Sequence, residues 1–216
     1  MPAEGALCRG GSMDISLIET LRWEPEAGFV RLERHLARLK RSAEALGLPG
    51  ADGARDALAA TFSPSALRIR LELFADGRID LQTAAFTPLA ADARWRLKLA
   101  ATRLTSTDPL LRHKTSRRAL YAAARAEFPA TEADEVILLN ERGELCEGTI
   151  TSLFLDDGSG PLKTPPLASG LLAGVLREEL LETGKAVEKV LRPGDLSRGA
   201  VLIGNSLRGL IRCVLA

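Results

Sequence analysis

No apolar run in this chain of 216 residues reaches the roughly 18 that a membrane-spanning helix needs. There is no HExxH, no Cys/His cluster and only two histidines, His35 and His113, so no metal site is expected. The three cysteines, Cys8, Cys146 and Cys213, form no CxxC pair, and their odd number points to free thiols in a reducing compartment. No GxGxxG follows a strand pattern and no GxxxxGK[ST] occurs, which removes the common nucleotide-binding loops. Gly204-Asn-Ser-Leu-Arg-Gly209 is one residue too long for a G-x-S-x-G nucleophile elbow, so a serine hydrolase is a poor reading. An excess of one charge is missing as well. The balance of 29 Lys+Arg against 28 Asp+Glu leaves +1, too little for an electrostatic grip on nucleic acid or an anionic membrane. Residues 1–13 are Gly-rich and lack the apolar core of a secretory signal. These absences predict a soluble, cytoplasmic protein.

The chain has ample core material at 46% hydrophobic, enough for one domain or two small lobes. Residues 14–22 read as a strand with a turn near Glu24-Pro25. Leu32, Leu36, Leu39, Ala43 and Leu46 recur at helical spacing, with Gly47 at the C-cap position and Pro49 beyond it. A second helix is expected at 53–61. Over 67–74, Leu67, Ile69, Leu71 and Leu73 alternate with Arg68, Arg70 and Glu72, and Asp76-Gly77 turns the chain into a partner strand at 78–86. Thr87-Pro88 and the Ala-rich stretch after it are the candidate linker, dividing a small lobe (1–90) from a larger one (91–216).

In the second half, strands are expected at 94–104 and 136–139, and one long strand at 144–155. Helices are expected at 115–128, which would start at Lys114, and near 173–183. A strand at 200–203, a turn at Gly204-Asn205-Ser206 and a short apolar tail close the chain. Strands interleave with helices throughout, so the class is α/β or α+β in two lobes.

Four features carry chemistry, each with a plainer alternative. His35, Arg38 and Ser42 form a stripe beside the apolar stripe of the first helix, either at a cleft edge or on a solvated face. Only six of the 29 basic residues are lysines, Lys40, Lys98, Lys114, Lys163, Lys185 and Lys189. Of these, Lys114 stands beside His113 and among arginines. Like charge should lower its pKa and make it a better Schiff-base nucleophile, unless the cluster is only a basic helix entrance. Glu147, followed by Gly148, could hold a protonated ring nitrogen or be the exposed member of an edge strand. Gly170-Leu-Leu-Ala-Gly174 opens the last long helix, either as an anion site, with Ser206 adding a hydroxyl, or as a glycine-capped turn.

The order H-L-x-R-L, H-K-T-S-x-R, D-E-V-x-L-L-N-x-x-G-x-x-x-E-G-T, S-G-L-L-x-G-V-L-R and G-N-S-L-R-G resembles the class IV aminotransferase family, the fold-type IV pyridoxal-phosphate enzymes. This group includes branched-chain and D-amino-acid aminotransferases and 4-amino-4-deoxychorismate lyase. The resemblance runs from about Ile15 to the C-terminus. It implies a two-lobed architecture, pyridoxal 5'-phosphate as cofactor, a small amino-acid-like substrate and a homodimer. It implies Lys114 as the lysine that carries the cofactor and moves the substrate proton, and Glu147 as partner of the pyridinium nitrogen. Arg38, Gly174, Val175, Leu176 and Ser206 would hold the phosphate, Arg38 through its donor fork and Val175 and Leu176 through backbone N–H groups. Arg68, Arg70 and Arg208 are candidates for the substrate carboxylate. Tyr121 reads better as a core aromatic than as a cofactor contact.

Two departures from the family pattern stand out. Ser152 replaces the asparagine of E-G-x-x-x-N-x-F, and the chain is shorter than most members, lacking their first strand. The S-G-L-L-x-G and N-S-L-R-G segments lean towards the lyase, which releases pyruvate and 4-aminobenzoate (folate branch). An aminotransferase is the alternative, and a pyridoxal-phosphate-binding protein without turnover is a third reading.

Overall fold

The computed structural model describes residues 15–216, so Cys8 and the Gly-rich start of the chain lie outside the described residues. The first sheet is antiparallel, in the order β2-β1-β3-β4. Its strands are β1 (Leu17–Glu24), β2 (Gly28–Val30), β3 (Leu67–Leu73) and β4 (Ile79–Ala85). The alternation of β3 buries Ile69, Leu71 and Leu73. Against that face pack α1 (Leu32–Leu46) and α2 (Ala54–Ala59), through Leu39, Ala43, Ala54 and Leu58. Gly47 ends α1 in the left-handed conformation (φ 68°), where a side chain would be strained. Residues 86–93 carry no helix or strand and lead to the second sheet.

That sheet has eight strands in the order β10-β9-β8-β11-β12-β5-β6-β7. They are β5 (Arg94–Leu104), β6 (Glu135–Asn140), β7 (Leu145–Gly148), β8 (Ser152–Asp156), β9 (Leu162–Thr164), β10 (Ala186–Glu188), β11 (Ala200–Asn205) and β12 (Gly209–Leu215). β7 also pairs with β8, which closes six strands into a barrel. Leu97, Ile137, Leu145, Leu153, Ile203 and Ile211 are among the residues that fill it. Outside the barrel, α3 (Ala119–Ala126) packs over β5 and β6, and α4 (Val175–Glu182) packs over Phe154. Both faces of β6 are covered, which explains its unbroken apolar run. No described helix is long and apolar enough to cross a membrane.

Three expected elements differ from those observed. Residues 115–118 are not helical, so Lys114 does not start a helix. β1 captures this segment: Ile18 N–H donates to Lys114 O (2.8 Å) and Ser116 N–H to Ser16 O (2.9 Å), and the helix begins only at Ala119. The single strand expected at 144–155 is two strands. They separate at Thr149–Thr151, where the buried Glu135 carboxylate accepts from Thr149 N–H (3.0 Å), Ile150 N–H (3.1 Å) and both threonine hydroxyls. The apolar tail is strand β12, which pairs with β11 on one side and β5 on the other.

Candidate active site

The two sheets meet along α1, where Arg31 just before the helix and Arg34 and Arg41 on it pair with Glu179, Glu182 and Glu178 of α4. Beside this seam lies a cavity of about 330 Å³, within the range of small-molecule sites. Its walls come from both halves of the chain: Thr20 and Arg68 of the first sheet, His35 and Arg38 of α1, and the barrel-side residues described next.

Lys114 reaches the cavity from the segment pinned to β1. Its side chain is half-buried, and its Nζ has no hydrogen-bond partner among the described residues. Burial pushes its pKa down to about 8, with Arg38 and Arg118 adding repulsion. Of these two cations only Arg118 belongs to the local basic cluster. Arg38 arrives from α1.

Glu147 is buried on β7 (5% exposed), not the exposed member of an edge strand. Burial raises its carboxyl to about 7, opposed by Tyr121, Leu172 N–H, Arg118 and Lys114. Tyr121 O–H donates to Glu147 Oε1 at 2.7 Å and Leu172 N–H donates to the same oxygen at 3.2 Å. Oε2 has no donor among the described residues, and Glu147 lines the cavity. Tyr121 is therefore more than the core aromatic expected: its ring packs against the cluster that holds Val136 and Leu138, but its hydroxyl fixes Glu147. Gly148 is required by Thr151 and Glu135, because a Cβ there would overlap Thr151 Oγ1 and lie 2.9 Å from the Glu135 carboxyl carbon. Ser152 sits against Gly174, whose added Cβ would meet its Oγ at 2.6 Å.

The stripe on α1 is buried at His35 (1%), Arg38 (6%) and Ser42 (4%), which decides against the solvated face. Its organiser is Glu19 of β1, a residue the sequence reading passed over. Glu19 accepts from Arg38 Nε (2.9 Å) and Nη2 (2.6 Å), and shares a 2.6 Å hydrogen bond with His35 Nδ1. Burial alone would raise its carboxyl, but Arg38 and His35 hold it at about 2. His35 Nε2 lies 2.7 Å from Ser206 Oγ. The signal was present: Glu19 falls in phase with Leu17 and Leu21, a carboxylate on a core-facing register. The donor fork expected to meet phosphate is turned to Glu19, and Arg38 Nη1 reaches Ala173 O at 3.3 Å. What Arg38 gives the cavity is a fixed positive charge.

Lys114, Arg38, Glu147, Gly174, Val175, Ser206, Arg68 and Arg208 all line this cavity. Two expected residues do not. The Leu176 side chain is buried with Phe154 in the core under α4, leaving only its first-turn backbone N–H at the helix start. Arg70 pairs with Glu72 (2.8 Å) and does not line the cavity. Arg208 has a buried Nε without a partner, and burial and Arg68 lower its pKa. Neither Arg68 nor Arg208 meets a carboxylate among the described residues. His113 accepts or donates to Ser42 Oγ (3.0 Å), and burial lowers its pKa.

Comparison with known proteins gives consistent matches. A family model described as amino-transferase class IV matches residues 16–215. A Schizosaccharomyces pombe protein named "Putative aminodeoxychorismate lyase" is 31% identical over 209 residues, covering 93% of this chain and 89% of that protein. A Thermotoga maritima protein named "Probable branched-chain-amino-acid aminotransferase" is 33% identical over 82% of this chain and 66% of its own length. The crystal structure of a "Putative amino-acid aminotransferase" from Mesorhizobium loti superposes with a TM-score of 0.88 at 51% identity, covering 94% of this chain and all (100%) of that one.

Proposed function

The chain belongs to the class IV aminotransferase family, and from that premise we propose that it is a 4-amino-4-deoxychorismate lyase, releasing pyruvate and 4-aminobenzoate. Members are pyridoxal-phosphate enzymes, and the cavity fits that group. A half-buried, unpartnered amine (Lys114) and a carboxylate with one free oxygen (Glu147) line one cavity, with a buried cation and a hydroxyl (Arg38, Ser206) at the helix α4 end. The cofactor, when bound, supplies an aldehyde for the substrate amine and a ring that withdraws electrons from the bonds of the amine-bearing carbon.

The chain's own residues supply the rest. The proposal gives Lys114 the anchoring amine and, once freed, the base that removes the proton from the amine-bearing carbon. A lysine held near 8 delivers an unprotonated amine at neutral pH far more often than one at 10.5. Glu147 would hold a proton on the ring nitrogen through Oε2, with Tyr121 and Leu172 fixing its other oxygen. The first-turn N–H groups of Val175 and Leu176, Ser206 and the charge of Arg38 would hold the phosphate.

Loss of the ether oxygen from the carbon next to the amine-bearing one would then release pyruvate and leave an aromatic ring. The observation that carries the lyase reading is the pair Arg68 and Arg208, two cavity guanidinium groups without carboxylate partners. The lyase substrate bears two carboxylates, and bidentate capture by arginine suits them. We extend the proposal to a cytoplasmic place in the folate branch, a small lobe (1–90) on a larger one (91–216), and a homodimer. Large apolar side chains left exposed at the cavity mouth, Leu120 (44%) and Ile150 (51%), support the homodimer.

Incubation with aminodeoxychorismate is expected to release pyruvate with no 2-oxo acid present. If pyruvate forms only from alanine with a 2-oxo acid acceptor, the chain is an aminotransferase. That second reading is favoured by the 51% identical Mesorhizobium loti structure.

A further inference from the structure

The buried chain Glu19–His35–Ser206 constrains where protons can sit. Glu19 accepts three hydrogen bonds from Arg38 and His35 and is ionised throughout the neutral range, so it cannot donate, and His35 Nδ1 must carry a proton. The state of Nε2 then decides what Ser206 offers the cavity. With a neutral imidazole, Nε2 is an acceptor and consumes the only proton of the Ser206 hydroxyl. The cavity then faces the lone pairs of Oγ, which repel an anion. With an imidazolium, Nε2–H donates to Oγ and the hydroxyl proton is free to point at a ligand.

We propose that His35 is a positioning residue that takes up a proton when a phosphate-bearing ligand enters, converting Ser206 from an acceptor into a donor. The inference rests on the reading of this end of the cavity as a phosphate site. The charges around His35 agree with it. Glu19 faces it from β1, Arg38 from α1 and Arg31 from the turn before α1, where Nη1 reaches Ser206 O (3.4 Å). Lys114 acts on Glu19 and Arg38 from across the cavity. An anion binds the donor form of Ser206 in preference to the acceptor form, and the donor form requires the imidazolium. Binding and proton uptake are then linked.

The test is calorimetric titration of the cofactor-free full chain with pyridoxine 5'-phosphate, which lacks an aldehyde and cannot react with Lys114. Runs in buffers of different ionisation enthalpy give the protons taken up per ligand. Protonation of the ligand and of Lys114 is common to all variants and drops out of the difference between them. Between about pH 5 and 8, where histidine changes charge, the wild type is expected to take up as much as about one proton per site more than His35→Gln. The glutamine amide can donate to Ser206 without titrating. Ser206→Ala, which leaves His35 no hydroxyl to turn, should lose the same excess. Binding with equal proton uptake in all three proteins overturns the inference and leaves the phosphate site standing. A wild type that does not bind the ligand overturns the site reading itself.

Discussion

Lys114→Ala is expected to lower kcat/KM for any amine substrate by about 10³-fold or more, since a positioned proton transfer alone contributes roughly 10²–10⁴-fold. The side chain supplies both an amine for the cofactor and a base for the substrate, and none of the other five lysines lines the cavity. Folding should survive. The structural tie of this segment is the Lys114 carbonyl, which accepts from Ile18 N–H, and alanine keeps it. Removing the ammonium also relieves its repulsion by Arg38 and Arg118. The expected pattern is therefore an unchanged melting temperature with activity lost. Activity within tenfold of the wild type would show that another group moves the proton.

The largest stability effect is expected at Glu19. Glu19→Ala leaves the Arg38 guanidinium and the His35 ring buried without their acceptor, the situation in which removing one partner of an enclosed ion pair costs about 3–5 kcal/mol. For a chain of this size that corresponds to a fall in Tm of roughly 6–20 °C. The pH dependence follows with a definite sign. Glu19 is depressed from 4.5 to about 2 in the folded chain, so it stabilises the fold above about pH 4.5. The gap is worth about 3 kcal/mol and is lost as pH falls towards 2. Denaturant unfolding of wild type and variant should therefore differ most near neutrality and converge in acid. A difference that does not change between pH 7 and 3 would place the stabilisation elsewhere, in packing.

The legible parts of this chain were those with local causes. The α1 stripe with Gly47 as its stop, the alternation of β3 and the Asp76-Gly77 turn each depend on a few adjacent residues, and each stands where the sequence places it. What the sequence hid depends on distant partners. The Thr115–Arg118 segment has helix-compatible neighbours, but Ser116 N–H donates to Ser16 O, just before β1 and 100 residues earlier. The break at Thr149–Thr151 is made by Glu135, and nothing within that triplet announces it. β12 lacks clear alternation because its outward-facing Leu210 and Val214 are as apolar as Ile211, which fills the barrel.

The same division runs through the site. Lys114, Glu147 and Arg38 were readable as residue types in a recognisable order. Their supports were not: Glu19 beneath Arg38, Tyr121 and Leu172 on Glu147, and His35 behind Ser206 become visible only when strands and helices are brought together. Arg70 shows the converse, a plausible cation that its neighbour Glu72 had already claimed.

The central claim is that Lys114 and the cavity around it hold pyridoxal phosphate. It is tested most directly by the visible spectrum of the purified protein before and after borohydride, followed by a peptide map of the reduced sample. The account predicts a visible band that borohydride bleaches and a pyridoxyl adduct on Lys114 alone among the six lysines. A protein that stays colourless with added pyridoxal phosphate, or an adduct on any other lysine, would contradict it.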